Sequence, residues 1–240
     1  MSLTPLGAAL APGLKDAFSE IERLLTNVVE PASAALHISA LPSFAAKWLA
    51  PRLPQFAASH PELDIRLVGD DALADFGNNE VDIGLRYGRG DYVGLQSENI
   101  CDVGAFPVCS PSFAREHRKA LRTPEGMREL PLLWDEIGQM APDLPTWPRW
   151  FKSAKVDAPR PIKGPRFESQ HLALEAAAAG KGIALGLSPL VDDDLTSGRL
   201  VRLFDITVPS PFSFWCVCRK DRARERKIAA FFVWIKDQLS

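Results

Sequence analysis

Ser43 and Ser169 are the side chains of this 240-residue sequence best placed to hold a small ligand. Ser43 follows the strand-like run Leu36 to Ala40 and Pro42, at the start of a helical pattern. Ser169 ends the stretch from Pro165 and precedes the Ala-rich helical run Gln170 to Ala179. A hydroxyl there, joined by the first unbonded N–H groups of the helix, makes a seat for a carboxylate. The plain alternative is an N-cap that serves only its own helix. Arg86 and Tyr87 end another strand-like run, Val81 to Tyr87, at the sheet edge where α/β proteins place ligands. The arginine reads either as an anion clamp or as an ordinary edge charge. Two such helix starts facing one cleft would hold a small polar ligand, anionic or zwitterionic.

Catalytic chemistry is poorly represented. His37, His60, His117 and His171 are isolated and lack the paired spacing of metal ligands. There is no Gly-x-Ser-x-Gly elbow, phosphate loop or dinucleotide fingerprint; the glycines from Gly84 to Gly90 are wrongly spaced. Asp192, Asp193 and Asp194 would fan apart on a helix and read as a solvated face. Cys101, Cys109, Cys216 and Cys218 match no zinc pattern. Cys216 and Cys218 share one face of a strand and read as small buried hydrophobes, with a redox switch as the lesser alternative. No catalytic residue, metal or cofactor is expected.

These residues need a scaffold, and the hydrophobic pattern supplies one. Leu10, Leu14, Phe18, Ile21, Leu24, Leu25 and Val28 form the stripe of an amphipathic helix within the first thirty residues. A linker at Pro31 to Ala35 follows. Strand patterns at 36–40, 65–68 and 81–87 alternate with helical ones at 44–60 and 72–76, which argues for a parallel sheet with helical crossovers. Pro51 and Pro54 should bend or break the first of those helices. The middle repeats the theme: strands at 101–108, 131–134 and 183–187, and helices at 111–120, around Trp147, Trp150 and Phe151, at 170–179 and at 188–195. Ser188 and Pro189 stand where the cap and first turn of that last helix would be. Strands at 200–204 and 212–219 and a closing helix at 224–239 complete two successive α/β halves, without a convincing sequence repeat.

Composition is ordinary: 46% apolar, 24% charged, formal net charge −2. That balance does not suit a domain that grips phosphates alone. No export signal opens the chain and no apolar segment approaches membrane-spanning length, so a cytoplasmic protein without membrane contact is expected.

The segment His37-Ile-Ser-Ala-Leu-Pro-Ser-Phe-Ala-Ala-Lys-Trp-Leu-Ala-Pro-Arg-Leu, followed by Phe56-Ala-Ala-Ser-His-Pro-Glu-Leu-Asp-Ile-Arg-Leu, closely resembles LysR-type transcription regulators. It is most similar to their glycine-cleavage activator and β-lactamase regulator branch. Val81-Asp-Ile-Gly-Leu-Arg-Tyr-Gly, Pro107-Val-Cys-Ser-Pro and Ala178-Ala-Gly-Lys-Gly-Ile-Ala-Leu-Gly agree, and Leu3-Thr-Pro-Leu-Gly-Ala-Ala-Leu resembles the start of the family's linker helix. The resemblance spans essentially the whole chain. It implies two Rossmann-like α/β subdomains of periplasmic-binding-protein type II architecture, joined by crossovers near Pro107 and Val208 and preceded by the linker helix. The implied boundaries are 1–34 for that helix, 35–107 with 208–240 for subdomain I, and 108–207 for subdomain II. A small-molecule effector would sit between the subdomains, lined by Leu41, Ser43, Phe44, Arg86, Tyr87, Ser110, Phe167, Glu168, Ser169 and Leu187. Homodimers and tetramers are implied, with DNA bound through a winged helix-turn-helix absent from this sequence and RNA polymerase as a further candidate partner. Trp48 is assigned to core packing or the dimer contact. A transport solute-binding protein, a bilobal enzyme and a domain controlled by a partner protein are the rival readings.

Overall fold

The computed structural model describes residues 4, 35–70, 76, 81–136, 141, 143–159 and 164–239. The expected helix over the first thirty residues lies outside these, as does most of the one at 72–76.

The first three strands, β1 (Ala35–Ala40), β2 (Asp64–Gly69) and β3 (Ile83–Gly88), pair in parallel with β1 in the centre. The next strand, β4 (Leu95–Cys109), is antiparallel to β9 (Val208–Arg219) and to β7 (Ile183–Leu187). Beyond β7 lie β5 (Leu132–Asp135) and β6 (Arg166–Phe167), both parallel to their neighbours, while β8 (Val201–Arg202) pairs β4 off this path. The full order is β2-β1-β3-β9-β4-β7-β5-β6. The order β2-β1-β3 at one end is repeated as β6-β5-β7 at the other. Two α/β halves of like construction therefore share β4 and β9.

Both shared strands are longer than their apolar runs suggested: pairing begins at Leu95 rather than Cys101, and at Val208 rather than Phe212. The added residues are mostly polar or proline, Leu95, Ile100 and Val208 apart, and cross-strand pairing rather than local composition extends the ladder. Register shifts at Asn99/Cys101 and Asp102/Gly104 bend β4 where it passes from one half to the other.

The helices are α1 (a turn at Pro42–Phe44, a π turn at Ala45–Leu49, then Ala50–Ser59), α2 (Pro111–Glu116), α3 (Trp147–Ser153), α4 (Gln170–Ala178), α5 (Asp192–Thr196) and α6 (Arg226–Gln238). Pro51 and Pro54 do not end α1. The wider turn ahead of Pro51, with the Ala50 N–H donating to the Ala45 carbonyl, absorbs the misfit. The helix expected at 188–195 starts later, at Asp192. Ser188 and Pro189 lie in the preceding turn, and the Ser188 hydroxyl bonds the Asp192 carboxylate rather than capping a helix end.

Core packing follows from strand alternation. Leu36, Ile38, Ile83, Leu85, Phe214 and Cys216 point to one face and meet Phe44, Trp48, Phe56, Phe231 and Ile235 of α1 and α6. Trp48 is a core residue, stacked on Phe44 at 5.0 Å between centroids. Cys216 and Cys218 are fully buried, and burial pushes both thiols up, away from the reactive thiolate. A second cluster gathers Cys109, Phe113, Met127, Leu132, Trp147, Trp150, Phe151 and Ile183.

Gly90 follows β3 with a φ of +93°, and a Cβ there would overlap the Trp215 ring. Gly90→Ala is therefore expected to cost about 1–3 kcal/mol from strain and overlap together. Urea unfolding checks this; a loss within error of zero would show that the loop re-forms freely.

Candidate functional site

The two halves face each other where parallel strands end and helices begin. From the first half come the ends of β1 and β3 and the start of α1; from the second, the ends of β5 and β7 and the start of α4. Ligands of open α/β sheets collect at such carboxyl ends.

Ser43 and Ser169 meet there, both buried. His171 joins them. Its Nδ1 lies 3.1 Å from the Ser169 hydroxyl and 3.3 Å from that of Ser43, and its backbone N–H donates to Ser43 Oγ at 3.2 Å. Neither serine caps its own helix. Instead, the Ser43 oxygen occupies, from the opposite half, a position where an N–H of the first turn of α4 seeks an acceptor. In the sequence His171 is an isolated histidine. Its role became visible only once Ser43, 128 residues away, was folded against it.

Beside this junction is a crevice of about 540 Å³ counted out to its open mouth, of which about 30 Å³ admits the centre of a water molecule. Tyr87 lines it from the first half, and Asp135, Leu144, Trp147, Leu185 and Leu187 from the second; α4 borders it through Ala173. The Tyr87 hydroxyl bonds Ser210 at 2.6 Å. Burial pushes its phenol up to about 12, against the Ser210 hydrogen bond and with help from the Asp135 carboxylate, so it stays protonated at neutral pH. Gln170, the first residue of α4, is buried; its amide nitrogen donates to the Leu185 carbonyl at 2.7 Å. Its amide oxygen has no hydrogen-bond partner among the described residues. A buried acceptor left open invites a donor.

The other expected lining residues separate. Leu41 packs at the edge of the core before α1, and Leu187 reaches the crevice. Phe44 is fully buried among Trp48 and Phe214, a core residue rather than a cleft wall. Arg86 lies on the opposite face of β3 from Tyr87. Its guanidinium donates to the Ser39 hydroxyl and carbonyl and to the Leu85 carbonyl, away from the crevice. Ser110 caps α2 by accepting from the Phe113 N–H at 3.2 Å. Phe167 pairs opposite Asp135 in the β5–β6 ladder, and Glu168 is exposed. Sequence reading missed Asp135 and Gln170. The available signal was an acid placed at the carboxyl end of a strand.

Asp192, Asp193 and Asp194 are not a solvated face. Asp194 is buried between Lys47 and Arg199, and Asp193 takes both arms of Arg52. The partners come from another element, so helical spacing alone could not reveal them. No group of His, Cys, Asp and Glu suited to a metal occurs among the described residues. No helix among them is long and apolar enough to cross a membrane.

Two like α/β halves, a crevice at their strand ends and a polar junction across it define a bilobed ligand-sensing domain of the periplasmic-binding-protein type II kind. A family model described as the LysR substrate binding domain matches residues 30–240. The chain is 32% identical, over 97% of its length, to the glycine cleavage system transcriptional activator of Escherichia coli (strain K12), of which it spans 74%. It is 31% identical to the HTH-type transcriptional activator AmpR of Providencia stuartii, covering 98% of this chain and 77% of that one. The effector domain of AmpR of Pseudomonas aeruginosa superposes with a TM-score of 0.69 at 27% identity, covering 85% of this chain and 95% of that chain. The chain belongs to the LysR family, as the effector-binding domain of a LysR-type transcriptional regulator.

Proposed function

We propose that the crevice binds a small zwitterion, its carboxylate seated at the start of α4 and its ammonium directed to Asp135 and the Gln170 amide oxygen. The observation that carries this reading is the first turn of α4, where the His171 N–H binds an oxygen as it would a carboxylate and the Gln170 amide oxygen has no partner among the described residues; α4 borders, through Ala173, the crevice that Asp135 lines. The domain senses its ligand rather than transforming it, a reading supported by its kinship with transcriptional activators. In the intact regulator, residues 35–107 with 208–240 and residues 108–207 act as two bodies. The effector favours one relative orientation, by no more than its differential affinity for the two. That orientation reaches DNA through a winged helix-turn-helix beyond this chain and through contacts between copies in dimers and tetramers.

The test is calorimetric titration with a panel of amino acids, small dicarboxylates and neutral sugars. An amino-bearing carboxylate should bind and be recovered unchanged. Asp135→Asn and Gln170→Met should each weaken it about 10- to 100-fold, the loss of one hydrogen bond to a charged group. Selective binding of a neutral sugar, or undiminished affinity in both variants, would rule the zwitterion out.

A further inference from the structure

A second set of contacts joins the halves, apart from the crevice. Arg52 of α1 donates to both carboxylate oxygens of Asp193 in α5, at 2.7 and 2.6 Å. Lys47 of α1 lies 2.6 Å from the Asp194 carboxylate and 3.1 Å from that of Glu175 in α4. Arg199 closes the ring onto Asp194 and Glu175 at 2.7 and 2.6 Å. The Lys47 and Asp194 side chains are only 10% and 4% exposed, so solvent screens them far less than a surface pair. The hydrogen bond from Arg52 holds the Asp193 carboxyl below its usual range, and that from Arg199 does the same for Glu175. Both cations of α1 belong to the first half, and every acid they meet belongs to the second.

We infer that these ion pairs hold the halves in a closed arrangement that excludes the effector, with Arg52 and Asp193 as positioning residues that set how often the crevice opens. With about 30 Å³ for water centres, the crevice as it stands has no room for a molecule the size of an amino acid. Opening must come first, and the Ser43–His171 contact must part with it. Where only a fraction of molecules is open, the apparent dissociation constant is the intrinsic one divided by that fraction. Weakening the ion pairs therefore tightens apparent effector binding, opposite in sign to substitutions within the site. That consequence rests on the crevice being the effector site; the closure does not.

Amide hydrogen exchange at His171, in the 240-residue chain without ligand, reads the closure directly. This N–H sits in the first turn of α4, where no carbonyl of its own helix can accept it, and its acceptor is Ser43 across the divide. Arg52→Glu is expected to speed His171 exchange about three- to tenfold, while the β1 and β3 amides keep wild-type rates. Adding Asp193→Arg restores the pair with charges exchanged and should bring the rate back to within about twofold of wild type. If Arg52→Glu fails to fold, Arg52→Gln should show the same acceleration in smaller measure. Unchanged His171 exchange in a folded single variant, or a charge-exchanged variant as fast as the single, would overturn the inference. Since no ligand is present, a failure of the zwitterion reading leaves this result untouched.

Discussion

Replacing Asp82 with alanine is expected to lower the unfolding free energy by about 3–5 kcal/mol, the cost of removing one partner from a buried ion pair. Asp82 is 5% exposed and sits just ahead of β3. One carboxylate oxygen accepts from the His37 N–H at 2.8 Å and from Lys227 Nζ at 3.0 Å; the other lies 2.7 Å from Arg222. Lys227 also donates to the Ala35 carbonyl at 2.6 Å. One side chain thus ties the starts of β1, β3 and α6 together, at the point where the chain enters from residues 1–34. Alanine would leave Lys227 with a single carbonyl and no counter-charge, whereas Arg222 keeps Glu225. Urea unfolding should show the loss, with a fall in Tm of roughly 10 °C for a domain of this size. Asp82→Asn, which retains an acceptor, should cost less. A loss below about 1 kcal/mol would mean that water reaches the cluster and replaces the carboxylate.

Trp147→Ala is expected to destabilise the second half by a similar amount, about 3–5 kcal/mol, through lost burial and the cavity left behind. The indole is 2% exposed, meets Trp150 edge-on at 6.3 Å and Phe151 at 6.1 Å, and donates its N–H to the Leu133 carbonyl at 2.9 Å. It also forms part of the crevice wall. Trp147→Phe keeps most of the apolar bulk but leaves that carbonyl unpaired, so roughly 1–2 kcal/mol should suffice for it. The contrast between the two variants, measured by urea unfolding, separates packing from hydrogen bonding. Equal losses would show that the indole N–H, not the ring volume, is the larger contribution.

The two predictions share a design feature. Each residue is structural by its energetics, Asp82 tying together the starts of β1, β3 and α6 and Trp147 forming part of the crevice wall. The contacts between the halves are of both kinds: the apolar cluster around Phe44 and Trp48 continues to Ala173, Leu174 and Val191 of the second half, while Arg52–Asp193, Lys47–Asp194 and Ser43–His171 are polar.

Local sequence determined most of the elements. Alternation and 3.6-residue periodicity are properties of neighbours along the chain, so β1, β3, β7, α4 and α6 were legible within a residue or two. Ser43 and Ser169 were legible as helix-start hydroxyls for the same reason. What only the tertiary structure decided is which groups meet at long separation. Arg86 and Tyr87 are adjacent, yet the strand pleat sends one to Ser39 and the other to the crevice. The three aspartates looked solvated because Lys47 and Arg52, some 141 residues earlier in the case of Arg52, leave no mark on their own stretch of sequence. Ser43 was expected to offer a site. Folded, it already fills one, its hydroxyl taking the N–H of a helix from the other half, because an unbonded donor buried at an interface is too costly to leave open.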